Sequence, residues 1–466
     1  MTALRTDMRK RGAWWLPASL LAVTAMVASA CSGATTAAPA SAPSVTASPA
    51  GSAAPVGTSA GSPAAVACGN YTGPAATIQY SFWGDTSELK SQQTIIDAFM
   101  AIEPKIKVTV TVADWTTYWD KLQTGLAGGA APDVFLMDGT LVPDYQTRGQ
   151  LLDLTPFITK DAFDLTQLND LAVKDFTAAD GHMYGMPKDI NTVALYYNKK
   201  LFDAAGVPYP DATWDWAKLA AVAQTMTKTS GGTTSQWGLY TEVTDMENYW
   251  SELVWQNGGD VLSPDNKTVL LDSAQAAGGI QFLQDLIYKY KVLEQPSPTA
   301  GSGDLFDSGQ AAMAAEGSWV VPTYTTDGID FGVAPLPKGP AGLATSIDPT
   351  GLVVYKGTKS PDAAWEFAKC SASLVMQQKD AALKASMPAN KAVLGQTYAT
   401  SFDGAKTFVD SLGYAHLKPS FRGYNEFTTA LQTELEANVF NDNKKTAKQA
   451  LDDVTPQLVK ILAAGQ

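Results

Sequence analysis

The sequence predicts an α/β protein of more than one domain, with the chain crossing from one to another. Three observations lead there. Positions 77–138 read as strand, helix, strand, helix, strand, the pattern of an α/β domain with a largely parallel sheet. Positions 181–207, GHMYGMPKDINTVALYYNKKLFDAAGV, hold two strand-like runs parted by polar Lys188-Asp189, as a crossing between domains would. Beyond the low-complexity N-terminal stretch, the chain from about Thr77 has the length of two to three domain-sized units, ample for a well-buried core.

Ahead of that folded part, Arg5, Arg9, Lys10 and Arg11 form a basic start, 13–28 is an apolar run, and Ala28-Ser29-Ala30 precedes Cys31. This is the layout of a secretory signal peptide. The cysteine after small residues marks a lipoprotein processing site, although Ala28 stands where Leu, Val or Ile is usual. Plain signal cleavage near Ala30 is the alternative. Positions 32–73 are almost wholly Ala, Ser, Thr, Pro and Gly without a charged side chain. Such a composition buries too little apolar area to offset chain ordering and reads as a flexible tether. After a lipidated Cys31, it would hold a soluble domain away from a membrane. No other segment has the uninterrupted apolar length to span a bilayer. Gly57-Thr58-Ser59-Ala60-Gly61 spells a nucleophile elbow, but its flanks are neither strand nor helix. Ser87-Glu88-Leu89-Lys90 spells S-x-x-K without the partner motifs and reads as an exposed helix face.

The formal charge of the chain is −13. Positions 1–30 carry four basic residues and Asp7, a net of +3, so the remainder is near −13 − 3 = −16. That balance argues against nucleic acid and other polyanions as partners. Of the three cysteines, Cys31 is the lipid candidate. Cys68 and Cys370 are left either to bridge the end of the tether to the helix carrying Cys370 or to stay free. His182 and His416 are the only histidines, and no H-E-x-x-H or clustered Cys/His spacing points to a metal or cofactor.

Within 77–138, strands at 77–83, 107–112 and 132–137 alternate with helices at 88–101 and 118–127, the first helix with Leu89, Ile95, Ile96 and Phe99 on one side. Ligands on such sheets sit beyond the carboxyl ends of the strands. Those ends hold Trp83, Asp85 and Asp138, which otherwise read as a core tryptophan and two turn or N-cap aspartates. The crossing follows. An apolar piece ends at Pro187, a buried strand covers 192–197, and a helix at 199–205 stops at Gly206 and Pro208. Trp214 and Trp216 open a helix through Thr227 as packing residues. Helix 247–255 carries Asn248, Tyr249, Trp250 and Trp255 before the Asn257-Gly258-Gly259 stop. It reads either as core or as the aromatic and polar mixture that a sugar needs, whose C–H faces stack on rings while its hydroxyls seek donors and acceptors. Helices at 278–290 and 304–315 lead to Glu316-Gly317-Ser318-Trp319. Asp348-Pro349-Thr350-Gly351 runs into an apolar strand ending at 354. A helix at 361–371 and two C-terminal helices from Glu426 and Thr446 complete the chain, with Arg422 and Tyr424 just ahead of the first of these.

Several segments resemble one family closely. "Gly-x-x-Tyr-Gly-x-Pro" at 181–187, "Tyr-Tyr-Asn-Lys-x-Leu-Phe-x-x-Ala-Gly-Val" at 196–207, "Phe-Trp-Gly-Asp" at 82–85, "Pro-Asp-Val-Phe-Leu-Met-Asp" at 132–138 and "Gly-Gln-Ala-Ala-Met-x-x-x-Gly-Ser-Trp" at 309–319 are similar to the maltose-binding-protein-like solute-binding proteins of sugar ABC transporters. "Ile-Asp-Phe-Gly-Val-Ala-Pro-Leu-Pro" at 329–337 and "Ala-Trp-x-Phe" at 364–367 extend the likeness, which runs from about Thr77 to the C-terminus. The resemblance implies a type II, two-lobe fold with discontinuous domains: one lobe from 74–188 plus 350–388, the other from 189–349 plus 389–466. Crossings would fall near Lys188–Asn191, Asp348–Gly351 and Met387–Ala389. It implies a sugar held between the lobes by Trp83, Asp85, Asp138, Asn191, Asn248, Trp250 and Asp348, with Trp319 as a stacking face and Gly317 and Ser318 beside it. Arg422 and Tyr424 are further candidates, with Lys418 standing where the family often has an arginine. It also implies a monomer without cofactor or metal, anchored by lipid outside the cell and serving an ABC permease. The competing reading is a secreted glycoside hydrolase with Asp85 and Asp138 as its paired carboxylates; a scaffold that binds nothing is the third.

Overall fold

A computed structural model describes residues 68–243, 249–296, 304–384 and 386–465. Positions 1–67, which hold the expected signal peptide, Cys31 and most of the expected tether with its G-x-S-x-G motif, and Asn248 lie outside the described residues. The strands are β1 (Ala76–Trp83), β2 (Ile106–Ala113), β3 (Val134–Asp138), β4 (Gly185–Asn198), β5 (Lys228–Ser230), β6 (Thr233–Gln236), β7 (Met313–Gly317), β8 (Phe331–Ala334), β9 (Thr345–Val354) and β10 (Ala415–Leu417). β5 and β6 pair only with each other; the other eight form one sheet, in the order β2-β1-β3-β9-β4-β7, with β10 on β9 and β8 on β4. Among the described residues no helix is long and apolar enough to cross a membrane.

The first lobe follows the predicted alternation. Ile78, Tyr80 and Phe82 of β1 point into the core while Thr77 and Gln79 face outward, the period of two of a half-buried strand. Helix Thr86–Ile102 buries Ile95, Ile96 and Phe99. β1 and β2 run parallel and in step from Ala76↔Ile106 to Trp83↔Ala113, and β3 joins β1 in parallel. The carboxyl ends of β1 and β2 are therefore level. β9 then pairs antiparallel with β3, so the sheet is mixed where a largely parallel one was expected.

β4 and β9 are the two longest strands and lie side by side within the sheet. They pair antiparallel from Gly185↔Val353 to Thr192↔Ile347, with an irregularity between Pro187 and Asp189. Pro187 and Pro349 lie in this stretch. Proline has no N–H for the ladder and is normally confined to sheet edges or bulges, so the pairing is thinned at the crossing itself. The Asp348-Pro349-Thr350-Gly351 segment is thus strand throughout. A third passage is pinned there: the N–H of Ile190 donates to Met387 O at 2.8 Å and that of Ala389 to Lys188 O at 3.2 Å.

Beyond the crossing, β4 is covered on both faces, which is why its sequence is continuously apolar. Ala194 and Tyr196 face the first core, together with Phe408 and Tyr324, whereas Val193 and Leu195 face a second core. Helices Trp216–Met226, Trp250–Gln256, Ala274–Tyr288 and Ala447–Gly465 supply that second core, with Leu219, Leu253, Ile280 and Leu458.

The helix expected at 304–315 does not form. Asp304 accepts from the N–H groups of Phe306 and Asp307 in a turn, and Ala314 and Ala315 enter β7 opposite Tyr196 and Leu195. Alanine favours helices by propensity, but here it is the side chain small enough to let a strand lie against β4 between two cores. Cys68 is disulfide-bonded to Cys370 on helix Pro361–Ser371, across a sequence separation of 302.

Candidate functional site

The carboxyl ends of β1, β2 and β3 and the turn after β7 open into one cleft of 580 Å³, within the roughly 300–1,000 Å³ typical of small-molecule sites. Trp83, Asp85, Glu88, Asp114, Trp115 and Asp138 line the first-lobe wall. Tyr240, Glu242, Asp304, Glu316, Trp319 and Pro322 line the facing wall, and Lys188, Asp189, Asn191, Asp348, Thr350, Ser386 and Lys418 make the floor.

On the first wall, Asp85 caps helix Thr86–Ile102. Its Oδ1 accepts from the N–H of Ser87 at 2.7 Å and of Glu88 at 2.8 Å, while Glu88 Oε2 accepts from the N–H of Asp85 at 2.8 Å. This capping box fixes Asp85 at the lip, with Oδ2 3.5 Å from Thr323 Oγ1 of the other lobe. Burial pushes the Glu88 carboxyl up to about 7, against the pull of the Asp85 N–H. Asp138 Oδ1 accepts from the N–H of Thr140 at 2.8 Å and its hydroxyl at 2.5 Å. Behind it Asp175 lies against Gly139, where a Cβ would come within 1.9 Å of Asp175 Oδ2. Burial, reinforced by Asp138 and Asp348, pushes Asp175 well above the carboxylate range.

On the second wall, Trp319 follows β7 in a short turn, Ser318–Val320. Its ring is seated on Gly317, at which a Cβ would meet the indole at 2.0 Å. Gly317 and Ser318 do not themselves line the cleft. The Gly317 carbonyl accepts from Tyr196 Oη at 2.8 Å, and the fully buried Ser318 donates to Asn191 Oδ1 at 2.7 Å. They position Trp319 and Asn191 where the resemblance had them beside the sugar. Asp304 accepts a hydrogen bond from Tyr324 Oη, and burial raises its pKa.

The floor is a polar network that holds itself in place. Lys188 Nζ lies 2.8 Å from Asp189 Oδ2, 3.0 Å from Asp380 Oδ2 and 3.2 Å from Ser386 Oγ. Burial alone would lower the Lys188 pKa; the two carboxylates overcome it and hold the ammonium above its usual range. Asp189 Oδ1 accepts from Thr350 Oγ1 at 2.5 Å and Asn191 Nδ2 at 3.3 Å. Lys418 Nζ sits 2.7 Å from Asp348 Oδ1, and Ser346 donates to Asp348 Oδ2 at 2.7 Å.

Trp83, Asp85, Asp138, Asn191, Trp319 and Asp348 thus meet at one cleft, and of the three candidates ahead of the C-terminal helices Lys418 is the one that turns inward. Arg422 is exposed, and Tyr424 packs edge-on to Phe421, its side chain removed from the cleft. Trp250 is buried in the second core, because its helix, Trp250–Gln256, is buried along its whole length. Sequence reasoning missed Trp115, Glu88 and Glu316. Trp115 follows Asp114 at the end of β2 just as Trp83 and Asp85 flank the end of β1, and that repeated placement was the available signal. Glu316 sat inside a quoted motif and was passed over for its aromatic neighbour.

The family model for bacterial extracellular solute-binding proteins matches residues 83–377. The galactooligosaccharide-binding protein of Bacillus subtilis is 23% identical over 382 residues, 79% of this chain and 86% of the relative. The maltooligosaccharide ABC transporter solute-binding lipoprotein of Streptococcus pneumoniae strain R6 is 25% identical over 293 residues, 59% of this chain and 65% of the relative. Among solved structures, the ABC substrate-binding protein Lmo0181 from Listeria monocytogenes, in complex with cycloalternan, superposes with a TM-score of 0.76 at 28% identity, covering 83% of this chain and 99% of that one.

Proposed function

The chain belongs to the bacterial extracellular solute-binding proteins, and from that membership we propose that it captures a carbohydrate in the cleft between its lobes and delivers it intact to the permease of an ABC importer. The observation that carries this reading is the pairing of indoles from opposite lobes, Trp83 and Trp319, on one cleft whose floor is a rigid polar network. A sugar ring stacks its C–H face on an indole, and its hydroxyls donate to Asp85, Asp138, Asn191 and Asp348. Closure of the lobes about β4, β9 and the 387–389 passage excludes water, and the ligand favours the closed form by as much as it binds that form better. No bond in the sugar is broken. Asp85 and Asp138 serve as helix and turn caps, which suits fixed acceptors better than an acid and base pair. The lobes in this reading are 74–188 plus 350–388 and 189–349 plus 389–466. A lipid on Cys31 keeps the protein, as a monomer, at the outer face of the membrane.

The test is thermal unfolding of the purified protein against a panel of neutral mono- and oligosaccharides, with product analysis of the same mixtures. A bound sugar at a hundred times its Kd adds about 2.7 kcal/mol of stability and is recovered unchanged. Sustained hydrolysis that disappears in Asp138→Asn would replace the receptor with a glycosidase. A panel without any shift would remove the sugar.

A further inference from the structure

Building on the lobe closure of the proposed function, we infer that Asp144 is a latch: a carboxylate of the first lobe that caps a helix of the second and holds the free protein drawn together beside Asp138 and Lys418. Asp144 sits on the short helix Val142–Thr147, which follows β3 after one turn and packs Val142 and Tyr145 into the first core. Its partner is helix Tyr424–Leu435, which lies along helix Ala447–Gly465 and buries Phe427, Leu431 and Leu435 in the second core.

That helix has no cap of its own. The residue at its start is Gly423, in left-handed backbone at φ 92° and without a side chain to accept a hydrogen bond. A helix start without an acceptor leaves N–H groups unpaired. Asp144 Oδ1 supplies the acceptor, taking the N–H of Gly423 at 2.7 Å across a sequence separation of 279. Asp144 is 3% exposed, and a carboxylate so placed gains from both the helix dipole and a charge-assisted bond. Helices Thr86–Ile102, Trp115–Gly128, Trp216–Met226 and Ala274–Tyr288 are capped by the residue just ahead of them, Asp85, Asp114, Asp215 and Ser273. The cap of Tyr424–Leu435 is borrowed from the other lobe, so parting the lobes uncaps it.

A second contact lies alongside. Ser420 Oγ donates to Thr140 O at 3.1 Å and lies 3.4 Å from Gly139 O. Arg148 and Glu426 add an ion pair at 3.7 Å, but both side chains are well exposed and contribute little. These contacts stand next to the ligand site. Gly139 and Thr140 form the turn that Asp138 caps, Ser420 follows closely on Lys418, and Asp138 and Lys418 both line the cleft. Shutting the latch therefore sets the first wall against the floor. It is also built to release. Asp144 Oδ2 is buried without a hydrogen-bond partner among the described residues, a cost that water relieves as the lobes part.

The experiment is small-angle X-ray scattering of the full chain, as wild type, Asp144→Ala and Ser420→Ala, without sugar and with each of the neutral sugars of the panel, alongside calorimetric titration with any that binds. Without sugar, Asp144→Ala is expected to show a larger radius of gyration than wild type, and Ser420→Ala, which removes one hydroxyl, a smaller increase in the same direction. A bound sugar is expected to return both to the wild-type value and to bind Asp144→Ala about fivefold or more weakly, because part of its binding now goes into closing the lobes. Equal radii for free wild type and Asp144→Ala overturn the inference, even where amide exchange shows helix 424–435 fraying, since that is a local cap and not a latch. Should Asp144→Ala fail to fold, Ser420→Ala decides by the same comparison. An expanded variant that no sugar of the panel compacts keeps the latch and removes the carbohydrate reading.

Discussion

The floor of the cleft and its rim are built on opposite rules. On the floor, polar side chains from distant parts of the chain hold one another: Lys188 with Asp189 and Asp380, Asp348 with Lys418, Asn191 with Ser318. At the rim, Trp115 is exposed and Trp319 has no aromatic partner among the described residues, its ring resting on a glycine. The floor spends its hydrogen bonds within the protein and so fixes where the three passages meet. The rim keeps its contact area for something else. Stability and recognition should therefore separate by position, and substitutions can break or sharpen that division.

The largest effect is expected on the floor. Lys188→Met leaves the carboxylates of Asp189 and Asp380, both nearly inaccessible, facing each other without a cation. Losing one partner of a buried ionic cluster typically costs about 3–5 kcal/mol, which chemical denaturation would read directly. A variant as stable as wild type would show that the floor is not what holds the passages together.

At the rim, Gly317→Ala and Trp319→Ala should weaken sugar binding alike. The new Cβ occupies the place of the indole, so the ring must leave its seat. Loss of an aromatic anchor of this kind is worth about 2 kcal/mol, close to thirtyfold in Kd, measured by titration with whichever sugar raises the wild-type Tm. If Gly317→Ala bound as tightly as wild type, the seat would be irrelevant and Trp319 merely packing.

An effect read through pH lies on the first wall, at Glu88. Its carboxyl is pushed up to about 7 by burial, from 4.5. The folded protein thus holds a proton that the unfolded chain releases, and the associated stability is complete below about pH 4.5 and is lost as pH rises through about 7. Tm measured from pH 4 to 8 should decline less steeply across that window in Glu88→Gln, which cannot ionise. Parallel curves for the two proteins would mean that the carboxyl is solvated at the lip.

How far the sequence foretells this division differs between the regions. The strands and helices of the first lobe are plain in their periodicity, because each strand has one wet face and each helix one apolar stripe. The irregularity in β4 was legible at Pro187-Lys188-Asp189, where apolar patterning breaks and resumes. Trp83, Asp85 and Asp138 were singled out because strand ends are where such sheets place their ligands, and all three line the cleft. What stayed hidden depended on partners remote in the chain. The 304–315 stretch has helical composition and becomes turn and strand only because β4 offers it an edge between two cores. Lys188 needs Asp380, 192 residues away, and nothing local announces that pairing. Gly317 and Ser318 were singled out, but their work lies beneath the surface, holding Trp319 and Asn191, and only packing reveals it. Trp250 went into the core for the same reason: a helix shows its stripe in sequence, not which neighbour covers it.

The bond between Cys68 and Cys370 has a mechanical meaning. It joins positions 302 apart in sequence, so residue 68 cannot part from helix Pro361–Ser371 while the bond is intact.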